Sequence, residues 1–220
     1  MMSPSPSAWL LSLLVPSVAV FVILAGIADR LGRRLSPKVG WILLALCVVL
    51  FGIPWGNGSL ARRLAGIAPG FSLPFTVYLL AAAGRALRLP ELLRPTDLPA
   101  FWWFGAGTGL VLYPAALGWG PWDPYGWGWH FSALFAVMGL LGAGLIFRGQ
   151  RLGWVLLVAI AAWHLRVLES PNYWDYLVDP LYFVLSLSLL ATKKLRGKRQ
   201  AASGKRQAAS GKRQAASSKQ

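Results

Sequence analysis

Seven runs of mostly apolar residues alternate with short polar segments along most of the chain. They cover residues 9–28, 39–55, 66–84, 100–119, 130–147, 152–168 and 173–192. A helix needs about 20 mostly apolar residues to cross the hydrocarbon core of a bilayer, and polar residues at its ends can reach the interface. The pattern therefore predicts an all-α fold, a polytopic transmembrane helix bundle of about seven spans within residues 1–196.

Two of these runs are weaker than the others. The third, Gly66 to Gly84, contains Pro69 and Pro74, which lack a backbone N–H group and favour a kinked or re-entrant segment. If that segment is re-entrant, the expected number of spans falls to six. The last run reaches the required length only if it includes Asp175 and Asp179.

The composition fits a membrane protein better than a soluble domain. Hydrophobic residues make up 56% of the chain, charged residues only 13%, and the mean hydropathy is +0.53. The first run has no basic residue before it and three arginines shortly after it (Arg30, Arg33 and Arg34). We therefore interpret it as a span rather than as a cleaved secretion signal.

Basic residues in the short loops predict the orientation. With seven spans and a cytoplasmic C-terminus, the inner loops hold nine basic residues before the tail, and the outer loops hold Arg62, Arg63 and Arg166. Cytoplasmic loops of membrane proteins carry this excess, and tryptophans gather at both interfaces, where all twelve fall here. We expect an integral protein of the bacterial inner membrane, with its N-terminus outside and its C-terminus in the cytoplasm.

The segment 197–220 repeats KRQAASG almost perfectly every seven residues and contains no large apolar residue. It is predicted to be a disordered, low-complexity basic tail. One hypothesis is that it binds the anionic cytoplasmic leaflet of the membrane, and the other is that it only reinforces the orientation. No nucleic acid is expected as a partner, because no stacking aromatic accompanies the charges.

Small residues four apart predict close helix packing in two of the spans. Gly105 and Gly109 have this spacing in the fourth span, and Gly139 and Ala143 have it in the fifth. In lipid such faces let two helices approach closely. We expect them to pack inside this bundle, with a dimer interface or another membrane-protein partner as the alternative.

The candidate site is a set of polar residues on the predicted outer side. Ionisable residues at membrane depth are costly unless they are paired, and they suggest function by default. We expect Asp179 to pair with Arg166 or His164 across the turn between the sixth and seventh segments. The candidates are His164, Arg166, Asp179, Asp175, His130 and Asp123.

The backbone around Asp179 has two predicted forms. If the last segment is one helix, Asp175 and Asp179 lie four residues apart on one face. Alternatively, Asp179 caps a shorter helix that begins at Pro180, because aspartate and proline favour those two positions. In that case residues 173–178 lie along the interface.

No metal or cofactor is predicted. The chain has two histidines without HxH or HxxxH spacing and a single cysteine, Cys47, within an apolar run. Three function classes stay open: a non-catalytic accessory, assembly or interaction protein, which we favour; a small transporter or permease; and an enzyme acting on a lipid-linked substrate. The enzyme requires His130, His164, Arg166 and Asp179 around one cavity.

Overall fold

The computed structural model describes residues 6–55, 58–65 and 70–195 of the 220-residue chain. The predicted tail 197–220 and residues 66–69 of the third run lie outside the described residues. The described part of the chain is all-α apart from a two-residue ladder, in which β1 (Pro54–Trp55) pairs with β2 (Gly58–Ser59).

Long helices account for most of the described chain. They are α1 (Pro6–Arg30), α2 (Pro37–Gly52), α4 (Leu73–Ala86), α5 (Leu98–Ala116), α6 (Ala133–Phe147), α7 (Leu152–His164) and α9 (residues 180–195). Two short helices, α3 (Leu60–Ala65) and α8 (Trp174–Leu177), and a 3-10 turn at Tyr125–Gly128 lie between them.

Local sequence signals explain where several helices begin. The Ser36 hydroxyl accepts a hydrogen bond from the backbone of Val39, and Pro37 occupies the first position of α2. Ser132 caps α6 in the same manner through Leu134. Proline also lies in the first turn of α4 and α5, where its missing N–H group costs no helical hydrogen bond.

The helices place their connections at two ends of the bundle. The arginine-rich end carries residues 31–36, 87–97 and 148–151. The tryptophan-rich end carries residues 117–132 and 165–179, together with the described residues between α2 and α4 (53–55, 58–65 and 70–72). Hydrogen bonds join residues 87–97 to 148–151 at the first end and residues 117–132 to 165–179 at the second. α1 and α2 form an antiparallel pair, so that the end of α2 approaches Leu13 near the start of α1.

All the long helices except α1 are shorter than the predicted spans. Only Trp9–Arg30 is long and apolar enough among the described residues to cross a membrane by itself, and four further apolar helices have 10 to 17 residues. α4 begins at Leu73 rather than at residue 66 because Ser72 and Pro74 mark a helix start, so the third run is not one helix of the predicted length. α7 ends at His164, four residues before the predicted end at 168.

The seventh run is broken rather than continuous. α8 ends at Leu177, Val178 is extended with φ −149° and ψ 137°, and α9 begins at residue 180. The prediction of a single continuous helix is therefore wrong, and the predicted helix start at Asp179-Pro180 is confirmed. The physical reason is that the Asp179 side chain accepts a hydrogen bond from Tyr182 in the first turn of α9.

Close helix contacts occur where glycine leaves room. In α5 a β-carbon at Gly105 would lie 2.3 Å from the Ser186 hydroxyl, and one at Gly109 would lie 2.1 Å from the Phe183 ring, both in α9. Between α6 and α7 the tightest contact joins Gly142 and Gly153, where a β-carbon at Gly153 would lie 2.4 Å from the Gly142 carbonyl oxygen. Gly139, one of the predicted packing residues, has only ordinary contact with Ile160 at 3.8 Å, and Ala143 is half-buried.

Candidate functional site at the tryptophan-rich end

The Asp179 carboxyl group lies where the starts of two helices meet. It accepts hydrogen bonds from the backbone N–H and the hydroxyl of Ser72, at 2.9 and 2.8 Å, and from the backbone of Tyr182 at 2.9 Å. Ser72 immediately precedes α4, and Tyr182 is in the first turn of α9. Unpaired N–H groups and the helix dipole both favour an anionic acceptor at a helix start. We call Asp179, Ser72 and Tyr182 the Asp179 cluster.

The expected pairing of Asp179 with Arg166 or His164 is not found among the described residues. Asp179 is 6% exposed and its oxygens face Ser72 and Tyr182. His164 and Arg166 are both exposed, because α7 ends at His164 and the chain turns outward there. The prediction failed since it assumed two helices of equal depth, whereas the break at Val178 turns Asp179 towards α4.

The loop of residues 120–130 is fixed to the segment that precedes the cluster. The Tyr173 N–H donates to the Gly128 carbonyl at 2.8 Å, and the Trp174 indole N–H donates to the Pro124 carbonyl at 2.7 Å. The Asn172 amide donates to the Tyr125 carbonyl at 3.1 Å. Since residues 172–174 are almost fully buried, these bonds satisfy backbone groups that cannot reach solvent.

Asp175 joins the same contact. Its carboxyl group accepts from the Tyr125 hydroxyl at 3.3 Å and from the Ser170 hydroxyl. Burial and the nearby Asp175 raise the pKa of Tyr125 to about 12, so the phenol stays protonated and acts as a donor. The structure therefore brings Asp175 to the loop of residues 120–130 through Tyr125.

Asp123 and His130 lie at the edge of this loop. The Asp123 side chain accepts from the backbone of Tyr125 at 3.0 Å and of Gly126 at 3.3 Å, a local turn that fits the Asp-Pro sequence. Both Asp123 and His130 are exposed. Of the six candidate residues, the structure thus buries Asp179, half-buries Asp175 and leaves the other four exposed.

An apolar groove between α6 and α7 ends beside two of the exposed candidates. Phe131, Leu157, Ile160 and Ala161 line it, and His164 lies at its edge. The neighbouring Arg166 has a positive φ of 53°, and its guanidinium carbon lies 5.8 Å from the centre of the Trp163 ring. This is a cation–π arrangement.

A second polar cluster at the arginine-rich end was not predicted. Asp97 is 0% exposed and precedes α5. Its carboxylate accepts from the Arg94 side chain at 3.0 and 3.1 Å, from the Arg94 backbone at 2.9 Å and from the Arg151 backbone at 3.3 Å. The Arg151 side chain in turn donates to the Glu91 and Leu92 carbonyls, at 2.8 and 2.7 Å. We call Asp97, Arg94 and Arg151 the Asp97 cluster.

A sequence signal for this cluster exists. Asp97 is followed by Leu98 and Pro99, a helix start, and Arg94 lies three residues before it. Burial raises the pKa of Asp97, but the hydrogen bonds from Arg94 and Arg151 outweigh burial and hold the pKa below its ordinary value of 3.8. The cluster joins the connection before α5 to the connection before α7.

No protein-family model, curated protein or solved structure matches the chain. Within the described ranges, no three histidine, cysteine, aspartate or glutamate side chains are grouped in a way that could hold a metal ion.

Proposed function

We propose that the chain is a multi-pass integral membrane protein with a non-catalytic accessory, assembly or interaction role. One observation carries the proposed role: the two aspartates that are buried or half-buried at the tryptophan-rich end are engaged in holding connections together, while the other four candidates are exposed. The Asp179 oxygens accept from Ser72 and Tyr182, and Asp175 accepts from Tyr125 and Ser170. An active site instead needs several groups free to converge on one substrate atom.

The proposed membrane location is supported by the surfaces of the helices. Large apolar side chains are exposed on every long helix, for example Ile23, Ile42, Leu140 and Val158. Such extended apolar surfaces are rare on monomeric soluble proteins. In a membrane they contact lipid, and the alternating ends of the helices agree with seven spans.

The short helices are compatible with this location. α7, with 13 residues, is about 20 Å long at 1.5 Å per residue, less than the hydrocarbon core. The segment that follows must then enter the membrane boundary. Non-helical backbone at that depth is tolerated where protein covers it, and residues 172–174 and 176–179 are buried.

The proposed orientation puts the tryptophan-rich end outside. The arginine-rich end holds six arginines in its three connections (Arg33, Arg34, Arg88, Arg94, Arg148 and Arg151), whereas the tryptophan-rich end holds three, namely Arg166 and, between α2 and α4, Arg62 and Arg63. The positive-inside rule then assigns the arginine-rich end to the cytoplasm. A bacterial inner membrane with a basic tail on its anionic leaflet is part of the proposal.

Single cysteines test the topology. The native Cys47 is buried and is replaced by alanine first. In that background D123C and R148C, both at exposed positions, report the two ends of the bundle. We expect a membrane-impermeant maleimide to label D123C on intact cells and R148C only after permeabilisation. Equal labelling of both positions, or recovery of the chain in the soluble fraction, contradicts the proposed topology.

Affinity purification of the full chain in mild detergent tests the proposed role. We expect a membrane protein to copurify at a fixed stoichiometry and to be lost on substitutions at exposed helix faces but not at the buried clusters. A chain that purifies alone, with a bound metal or a small-molecule substrate, contradicts the proposed role.

A transporter is the second candidate, favoured by one observation. The starts of α4 and α9 meet at Asp179, and broken helices whose N-termini face each other form the substrate sites of several transporter folds. In this chain the Asp179 carboxyl group already occupies that position. Transport of a solute by the reconstituted protein, abolished in D179N, would favour this candidate over an interaction role.

A further inference from the structure

We propose that the groove between α6 and α7 binds an anionic phospholipid, whose phosphate contacts Arg166 and whose acyl chain occupies the groove. The proposal rests on the proposed membrane location, with the tryptophan-rich end in the outer leaflet.

The groove is apolar along its wall and has basic residues at one end, an arrangement that fits an amphiphilic ligand. Its wall is apolar along Leu157, Ile160 and Ala161, and the titratable residue that lines it, His164, lies at the C-terminal end of α7. Arg166 follows two residues later and is exposed. An acyl chain in contact with the wall would therefore place its headgroup beside a guanidinium group, which suits a phosphate in geometry and charge.

The backbone at Arg166 is unfavourable for arginine. Its φ of 53° is in the left-handed region, where the Arg166 N–H donates to the Trp163 carbonyl and the Val167 N–H donates to the Ala162 carbonyl. Glycine fills the equivalent position after α1, α5 and α6 (Gly32, Gly118 and Gly149). Arginine at this position therefore costs backbone strain that glycine would avoid.

Trp163 fixes the place of the Arg166 guanidinium group. The Trp163 indole N–H donates to the Pro171 carbonyl at 2.8 Å, and its ring packs against Phe135 with 4.6 Å between centroids. The guanidinium group stacks on this ring at 5.8 Å. A cation held on a rigid ring loses less conformational entropy on binding a phosphate than a free side chain does.

Arg166 also remains available for an anion. No ion pair of Arg166 occurs within the described part of the chain. The nearest acidic residues in the sequence are Glu169, which is exposed, and Asp175, which accepts from Tyr125 and Ser170. Arg166 is therefore the positive group beside the groove that has no carboxylate partner in the described part of the chain.

The test measures how phospholipids shift the melting temperature of the full chain in detergent. Phosphatidylglycerol is the anionic probe and phosphatidylcholine the zwitterionic one. We expect a larger shift with phosphatidylglycerol, and we expect R166G to weaken its apparent affinity at least tenfold. Tenfold corresponds to the loss of about 1.4 kcal/mol, close to the lower end of what one charge-assisted hydrogen bond contributes.

The variant R166G separates binding from folding. Glycine relieves the left-handed strain, so R166G should melt at a higher temperature than the wild type without lipid and yet respond less to phosphatidylglycerol. R88G is the matched control, since Arg88 has a φ of 59° at the other end of the bundle and should gain stability without losing the lipid response. The basic tail is identical in all variants and cancels.

A second pair of variants tests the groove itself. A161W fills it from an exposed position on α7, and A136W places the same side chain at an exposed position of α6 that does not line it. We expect only A161W to reduce the phosphatidylglycerol response. Equal responses to the two lipids in the wild type, or an unchanged response in both R166G and A161W, overturn the proposal. The maleimide labelling reports the membrane topology separately, so either conclusion can fail alone.

Discussion

The Asp179 and Asp97 clusters each stabilise a buried aspartate at one end of the bundle, but with different hydrogen-bond donors. Each is a buried aspartate immediately before a helix, with 6% and 0% of its surface exposed and a proline in the first turn of that helix. Asp179 accepts from neutral hydroxyl and backbone groups, whereas Asp97 accepts from two arginines whose side chains are about 40 to 46% exposed.

The difference concerns what surrounds each carboxyl group. At the tryptophan-rich end the donors are themselves buried, Ser72 completely, so water cannot replace them. At the arginine-rich end the guanidinium groups reach solvent and are screened by it. We therefore expect the Asp179 cluster to contribute more to stability and the Asp97 cluster to be more sensitive to salt and pH.

The largest expected effect is at Asp179. D179A removes the acceptor for two helix starts and leaves the Ser72 groups buried without a partner, so we expect a loss of about 3 kcal/mol. The free energy of unfolding can be measured in mixed micelles as the fraction of a denaturing detergent is increased. D179N keeps one acceptor oxygen and an equally good helix cap, and should lose roughly half as much. If D179N loses less stability than D97N, the Asp179 cluster does not contribute more to stability than the Asp97 cluster.

The next effect tests whether the Asp179 cluster depends on close packing of α9 on α5. A β-carbon at Gly109 would lie 2.1 Å from the Phe183 ring, so G109A must displace α9 or its side chain, at a cost of about 2 kcal/mol. G107A is the matched control, because nothing lies within 4 Å there and alanine is the better helix former. If the two variants unfold alike, the packing of α9 does not support the cluster.

At both places the sequence predicts the local feature but not the residue that it contacts. Asp179-Pro180 predicted a helix start, and Gly105 and Gly109 pointed to close packing, because both signals depend on neighbouring residues. The partner of Asp179 could not be predicted, since Ser72 is 107 positions away and meets it only because both segments break at the same level. Likewise the Gly142–Gly153 contact depends on the angle between α6 and α7, which spacing alone does not determine.

At Arg166 the sequence suggested a contact that the structure does not contain. Its charge and its position near Asp179 in the sequence suggested an ion pair, but the helix ends at His164 and turns Arg166 outward onto Trp163. The Asp97 cluster was not predicted because the burial of Asp97 depends on contacts with the connection before α7. The local signal in the sequence is an aspartate three residues after an arginine and one before a helix start.

The Asp97 cluster should respond to salt where the Asp179 cluster does not. We expect D97N to cost about 1 kcal/mol at low ionic strength, because the exposed arginines are solvent-screened and can hydrate after the carboxylate is lost. The cost should shrink as salt increases, since screening weakens the interaction with the carboxylate. Melting of the wild type, D97N and D179N at two salt concentrations measures this. An equal salt response at both positions removes the proposed difference between the ends.

The smallest expected effect is the pH dependence of Asp97, and its sign follows from the lowered pKa. Because the folded-state pKa of Asp97 lies below the ordinary value of 3.8, Asp97 is protonated at a lower pH in the folded state than in the unfolded state. The contribution of Asp97 is therefore fully present above that ordinary value and is lost as the pH falls through the folded-state pKa. The difference in melting temperature between wild type and D97N should be constant near neutral pH and should narrow below 3.8. A difference that widens on acidification means that Asp97 is not the acceptor of the two arginines.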